Sequence, residues 1–138
     1  MSDAKKLKER IIPKALVCGM LKDGGRILFL ISKDQNGTER LELPCFFAYS
    51  DADIMRLAEE FKEQTGIDGE VGEVEIKTRH NAGSRKRKKW IPCLVFKISA
   101  RNRTTRASSK FSGFKWLVLD GAKKYRLSRN VEWILSMG

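Results

Sequence analysis

The stretch from Leu43 to Ile67, LPCFFAYSDADIMRLAEEFKEQTGI, constrains this chain most, because it joins a strand end, a tight loop and an acidic helix without a gap. Ser50 followed by Asp53 is a helix start of the capping-box kind, in which short oxygen side chains take up the first unpaired amide groups. Ile54, Leu57, Ala58 and Phe61 then recur at helical spacing and predict one buried face. Glu59, Glu60, Glu63 and Gln64 fall beside that face. Glu59 and Glu63 stand four apart, where like charges repel, so a compensating cation is expected nearby. Thr65-Gly66 ends the helix, since glycine accepts the left-handed closing geometry without a side-chain clash.

This unit resembles the Nudix box: a glycine, five residues, a glutamate, seven residues, Arg-Glu, an apolar residue, any residue, Glu-Glu, any residue, glycine and an apolar residue. Laid back from Gly66-Ile67, the pattern sets its paired glutamates on Glu63 and Gln64, its apolar position on Phe61 and its Arg-Glu pair on Glu59-Glu60. The same register sets the first glutamate on Asp51 and the leading glycine on Cys45. Leu43-Pro44 is similar to the Leu-Pro that leads into the family's glycines, one residue closer to the helix here. The resemblance therefore keeps the spacing and alters several identities, and it implies a degenerate box at residues 45–67.

The rest of the chain reads in order as strands and turns. Ile11 to Met20 is an apolar strand, Asp23-Gly24-Gly25 a turn, and Arg26 to Ser32 the second arm of a hairpin. A turn at Gln35-Asn36-Gly37 precedes a half-exposed strand at Glu39 to Leu43. Glu70 to Arg79 and Trp90 to Ser99 are further strands, with Pro92 pointing to an edge or a bulge and Trp90 read either as a platform for a base or, more commonly for such a context, as core. Arg101 to Gly113 is an open loop, Phe114 to Leu119 a last strand, and Val131 to Met137 a short helix with Val131, Ile134 and Leu135 facing inward. The fold class is α/β (α+β). The order of elements is similar to the Nudix fold as a whole, a mixed sheet between helices, and a tryptophan at Trp116 also resembles the family. Residues 1–10 form a basic N-terminal extension and residues 11–138 a single domain.

Charge is the second informative feature. Between Ile76 and Leu119 there are thirteen basic residues and no acidic one, in a chain whose net charge is +11. The basicity is concentrated in Arg85, Lys86, Arg87, Lys88 and Lys89 and in the loop from Arg101 to Lys110, and such clustering attracts polyanions. No apolar run approaches the roughly 20 residues of a membrane span, and MSDAKKLKER is no secretory signal. Cys18, Cys45 and Cys93 lack metal-site spacing and are read as reduced thiols of a cytoplasmic protein. A monomer or homodimer fits a chain of this length.

What the resemblance implies is chemistry. In the Nudix family the box carboxylates bind Mg²⁺ or Mn²⁺, which holds a diphosphate and activates water. Carried over by position, Glu60 and Glu63 match metal ligands and catalytic residues, Gln64 matches a third ligand, and Glu59 occupies the bracing arginine's place. Glu59 has two readings: a replacement ligand, or a surface residue paired with a lysine such as Lys62. His80, the only histidine, is a structural residue or a base. The first function is thus a Mg²⁺- or Mn²⁺-dependent hydrolase of a nucleoside diphosphate linked to another group, with Arg85 to Lys89 gripping phosphates. The alternative is a catalytically impaired Nudix-like module that binds nucleic acid or nucleotides through its basic face. The expected partner is a phosphorylated small molecule or nucleotide, with nucleic acid admitted by the basic region.

Overall fold

The computed structural model describes residues 12–137; the N-terminal extension lies outside them. β1 (Ala15–Asp23) and β2 (Arg26–Lys33) form the expected hairpin, closed by Gly24 and Gly25, both at positive φ, which matches the right-handed twist of the flanking strands. β3 (Glu39–Glu42) and β4 (Cys45–Ala48) follow, then α1 (Asp51–Ile54), α2 (Leu57–Thr65), β5 (Glu70–Asn81), β6 (Trp90–Ser99), β7 (Gly113–Leu117), α3 (Leu119–Ala122) and a terminal 3-10 helix (Arg129–Ser136). The strands make one seven-stranded mixed sheet in the order β3-β2-β1-β6-β5, with β4 paired to β1 and β7 to β2. β1 runs parallel to β6 and antiparallel to β4, so it lies at the centre.

Both faces of β1 are buried, which is why it reads as a continuous apolar run. Leu16, Cys18 and Met20 join Ile27, Phe29 and Ile31 on one face, under Val131, Trp133 and Ile134 of the terminal helix. Ala15, Val17 and Leu21 join Leu28 on the other, under Leu57 and Phe61 of α2. The sheet is thus sandwiched between α2 and the terminal helix. Among the described residues no helix is long and apolar enough to cross a membrane.

Several expectations are corrected. The acidic stretch forms two helices, because Met55 and Arg56 close a turn before α2 begins. Leu57, Phe61 and Thr65 are the buried residues of α2, whereas Ala58 is exposed and Ile54 only half-buried. The terminal segment winds at three residues per turn, so Val131 and Ile134 share the inner face and Leu135 turns out, 60% exposed. β6 is an interior strand, not an edge. Pro92 is tolerated because it lies just before Cys93, the first pairing to β1. Trp90 is 49% exposed rather than core.

Candidate active site

Ser50 caps α1 as expected: its Oγ accepts from Asp53 N at 3.2 Å, while Asp53 Oδ2 accepts from Tyr49 N at 2.9 Å. At the other end Gly66 ends α2 at φ +73. The loop from Arg101 to Gly113 docks on this helix end instead of standing open. Arg106 N donates to Thr65 O at 2.8 Å and Ser108 N to Gln64 O at 3.0 Å. Helix C-termini carry unpaired carbonyls and a partial negative charge, so a basic loop with free amides is a fitting partner.

That docking closes a cavity of about 170 Å³ whose walls include Glu60, Glu63, Gln64, Glu42 and Lys110. Glu60 is braced by Arg56 Nη2 at 3.4 Å, one helical turn earlier, and Arg56 Nε also lies 3.8 Å from Glu59. The cation expected beside the acidic cluster is therefore Arg56, whose i,i+4 spacing to Glu60 was the available signal. Glu59 does not line the cavity; its side chain is 79% exposed. Lys62 pairs with Asp68 at 3.5 Å rather than with Glu59.

Gln64 is committed to the main chain. Its Nε2 donates to Cys45 O at 2.9 Å and its Oε1 accepts from Cys45 N at 3.3 Å. Cys45, in the leading glycine's place, is the first residue of β4 and faces Cys18 across the ladder. Its Sγ accepts from Asn130 Nδ2 at 3.0 Å. Cys18 Sγ lies 4.0 Å from Cys93 Sγ, so three cysteines distant in sequence converge. Contact with Cys45 and Cys93, and then burial, holds the Cys18 thiol well above its ordinary range, an inert thiol rather than a nucleophile.

Three side chains of this region carry no signal in the box pattern: Glu42, Ser108 and Asn130. Burial raises the Glu42 carboxyl above its usual range, against the opposing effect of hydrogen bonds with Ser32 and Asn130. Ser108 Oγ and Asn130 Oδ1 are buried without a hydrogen-bond partner. Buried polar atoms are rarely left unpaired, and Ser108, which lines the cavity, marks room there for a polar ligand.

Among the described residues no group of three or more His, Cys, Asp or Glu side chains is arranged to hold a metal ion by itself. Glu60 and Glu63 are nonetheless hard oxygen donors on one cavity. Mg²⁺ commonly takes one or two protein carboxylates and completes its shell with water and substrate phosphates. The donor set fits an ion that arrives with a phosphorylated ligand.

The basic hairpin stands elsewhere. Arg85 and Lys88 line a second cavity, of about 450 Å³, with Arg79, Trp90 and Arg129, and none of Arg85 to Lys89 lines the cavity holding Glu60 and Glu63. His80 is buried, its ring 5.7 Å from that of Phe47, and it too borders the second cavity.

No protein-family model and no curated protein sequence matches the chain. Solved structures do. The Escherichia coli ORF135 protein superposes with a TM-score of 0.70 at 18% identity, covering 88% of this chain and 85% of its own. A Nudix hydrolase from Nitrosomonas europaea gives 0.67 at 11% identity, covering 91% and 87%. The Nudix domain of Shewanella oneidensis NrtR, solved with ADP-ribose, gives 0.63 at 14% identity, covering 99% and 96%.

Proposed function

From the Nudix fold of this chain, shared with these structures, we infer a diphosphate hydrolase acting on a nucleoside diphosphate linked to another group, with the cavity between α2 and the docked loop as its active site. The observation that carries this reading is the gathering of Glu42, Glu60, Glu63 and Lys110 on one cavity. An ADP-ribose pyrophosphatase from Streptococcus suis shares the fold, with a TM-score of 0.63, and supplies the substrate class.

In this reading Glu60 and Glu63 would hold Mg²⁺ or Mn²⁺, which when bound would polarise phosphorus and offset the diphosphate charge. Lys110 balances the remaining phosphate charge. Glu42, whose carboxyl is raised by burial, takes the proton of the attacking water. The water oxygen bonds to phosphorus, the bridging P–O bond breaks, and a nucleoside monophosphate leaves with a second phosphorylated fragment. Ser108 Oγ, on the cavity wall and unpaired within the protein, bonds to the bound ligand. Three free thiols suit a reducing cytoplasm.

A second reading, the catalytically impaired binding domain, is favoured by Gln64, whose amide is spent on Cys45. A panel of nucleoside diphosphate conjugates assayed with Mg²⁺ and Mn²⁺ decides between them. Turnover that the Glu60→Gln/Glu63→Gln double variant loses supports the hydrolase. Conjugate binding with no turnover above the double variant supports the second reading and sinks the first.

A further inference from the structure

The second cavity has no part in that chemistry, yet it is built. Asn81, the last residue of β5, organises the loop that follows: its Oδ1 accepts from Gly83 N at 2.9 Å and Lys89 N at 3.0 Å, and its Nδ2 donates to Ser84 O at 3.1 Å. Ala82 N donates to Lys89 O at 2.8 Å, and Ser84 Oγ accepts from Arg87 N at 2.9 Å. The loop has room for no side chain at Gly83, where a Cβ would sit 2.1 Å from Arg87 O. Arg129 of the terminal helix then pins the loop from outside, donating to Asn81 O at 2.9 Å and Gly83 O at 2.7 Å. A run of five cations is thereby held in one geometry, although mutual repulsion would splay a free loop.

Trp90 lies half-exposed beside this loop, with the Arg79 guanidinium 4.5 Å from its ring centroid and Lys88 Nζ at 5.9 Å. Arg79, Arg85, Lys88 and Arg129 line the cavity against a single carboxylate, Glu132. None of those four cations forms an ion pair with another described residue. A half-exposed indole ring, with the Arg79 guanidinium over one face and the other left for a base, amid cations that form no ion pair, combines a stacking platform with a phosphate track.

We propose that the cleft between the Asn81 to Trp90 loop and the terminal helix binds single-stranded nucleic acid, with a base stacked on Trp90 and the flanking phosphates on Arg85 and Lys88. A duplex hides the faces of its bases within the stack, so the tryptophan selects an unpaired strand. A single mononucleotide would leave most of the loop's cations unused. The cleft shares no lining residue with the cavity of Glu60 and Glu63, and the proposal stands independently of hydrolysis there.

The test is fluorescence anisotropy of the full chain with labelled single strands of about twelve nucleotides, in RNA and DNA arms, and with the matching duplex. Trp90→Ala is expected to weaken single-strand binding about 5- to 150-fold. Arg85→Gln/Lys88→Gln is expected to weaken it and to lower the slope of log Kd against log salt by about 1.4, some 0.7 for each phosphate contact removed. Both variants alter exposed side chains, and circular dichroism confirms that each is folded. The Glu60→Gln/Glu63→Gln variant is expected to bind like wild type, so failed hydrolysis and failed strand binding are separate results. Affinity unchanged in both basic-cleft variants overturns the proposal, as does equal binding of the duplex, or displacement of the strand by an equal concentration of a free nucleoside diphosphate. A preference between the RNA and DNA arms supports it and identifies the sugar.

Discussion

Gln64 and Cys45 are joined by two hydrogen bonds that a carboxylate cannot make together: Nε2 donates to the Cys45 carbonyl and Oε1 accepts from the Cys45 amide. The glutamine ties α2 to the first residue of β4, across the point where the chain enters the helical stretch. A glutamate there would set a carboxylate oxygen 2.9 Å from a carbonyl oxygen. Gln64→Glu is therefore expected to cost about 1–3 kcal/mol at neutral pH, the penalty of a partly buried polar pair left unmatched. Mg²⁺ or Mn²⁺ should return part of that loss in Gln64→Glu and none of it in Gln64→Ala. Thermal melts of both variants with and without the cation measure this. A glutamate variant as stable as wild type, and indifferent to cations, would show that the amide pairing is idle.

Arg56 reaches Glu60 from the turn between α1 and α2, at 3.4 Å. Pairs of this exposed kind contribute only about 0.3–0.5 kcal/mol, so Arg56→Met should shift the melting temperature by a degree or two. Activity responds differently in the hydrolase reading, because groups that orient a metal ligand typically govern about 10- to 100-fold in metal affinity or rate. The expected result is a raised Mg²⁺ requirement for turnover at nearly unchanged stability. A loss of stability without a change in the Mg²⁺ dependence would make Arg56 a structural residue only.

The hairpin, the apolar first strand and the capped start of α1 were legible because each follows from local chemistry: paired glycines, an unbroken apolar run, a serine followed by an aspartate. Three features were not. The 3-10 winding of the terminal helix differs from an α-helix only by which of Ile134 and Leu135 joins Val131, and both are apolar. The convergence of Cys18, Cys45 and Cys93 is set by pairing between β1, β4 and β6, which no spacing records. The separation of the carboxylates from Arg85 to Lys89 is likewise tertiary. The loop that joins the carboxylates is the other basic one, drawn to the C-terminus of α2 by the carbonyls of Gln64 and Thr65.

His80 makes the acid side of the stability profile specific. Burial lowers its pKa below the ordinary 6.5, helped by the charge of Arg129 and opposed by Glu132 and a hydrogen bond with the Arg129 backbone. The folded state thus prefers the neutral ring, and the unfolded chain binds the proton more readily. Between the depressed folded value and about 6.5, unfolding takes up a proton, so stability falls as pH falls. Wild-type melting temperature should decline below about pH 6.5, and His80→Gln should flatten that decline. Parallel profiles for the two proteins would assign the acid sensitivity to other groups.

Gly19 sets how closely α2 approaches the sheet. It lies in the middle of β1, where glycine is ordinarily a liability for backbone entropy. A Cβ at this position would stand 2.8 Å from Phe61 Cδ1 and 3.1 Å from Ile98 Cγ1. Phe61 is fully buried between Glu60 and Glu63 in sequence, so its ring fixes the height at which both carboxylates are carried. Gly19→Ala is expected to lose about 1–3 kcal/mol through overpacking, outweighing any gain in strand propensity. Phe61→Leu removes ring atoms at the point of conflict and should cost less in the Gly19→Ala background than in wild type, a coupling of about 0.5–3 kcal/mol. Urea unfolding of the two single variants and the double variant measures it. Strict additivity would mean that α2 is positioned by contacts other than this ring against this glycine.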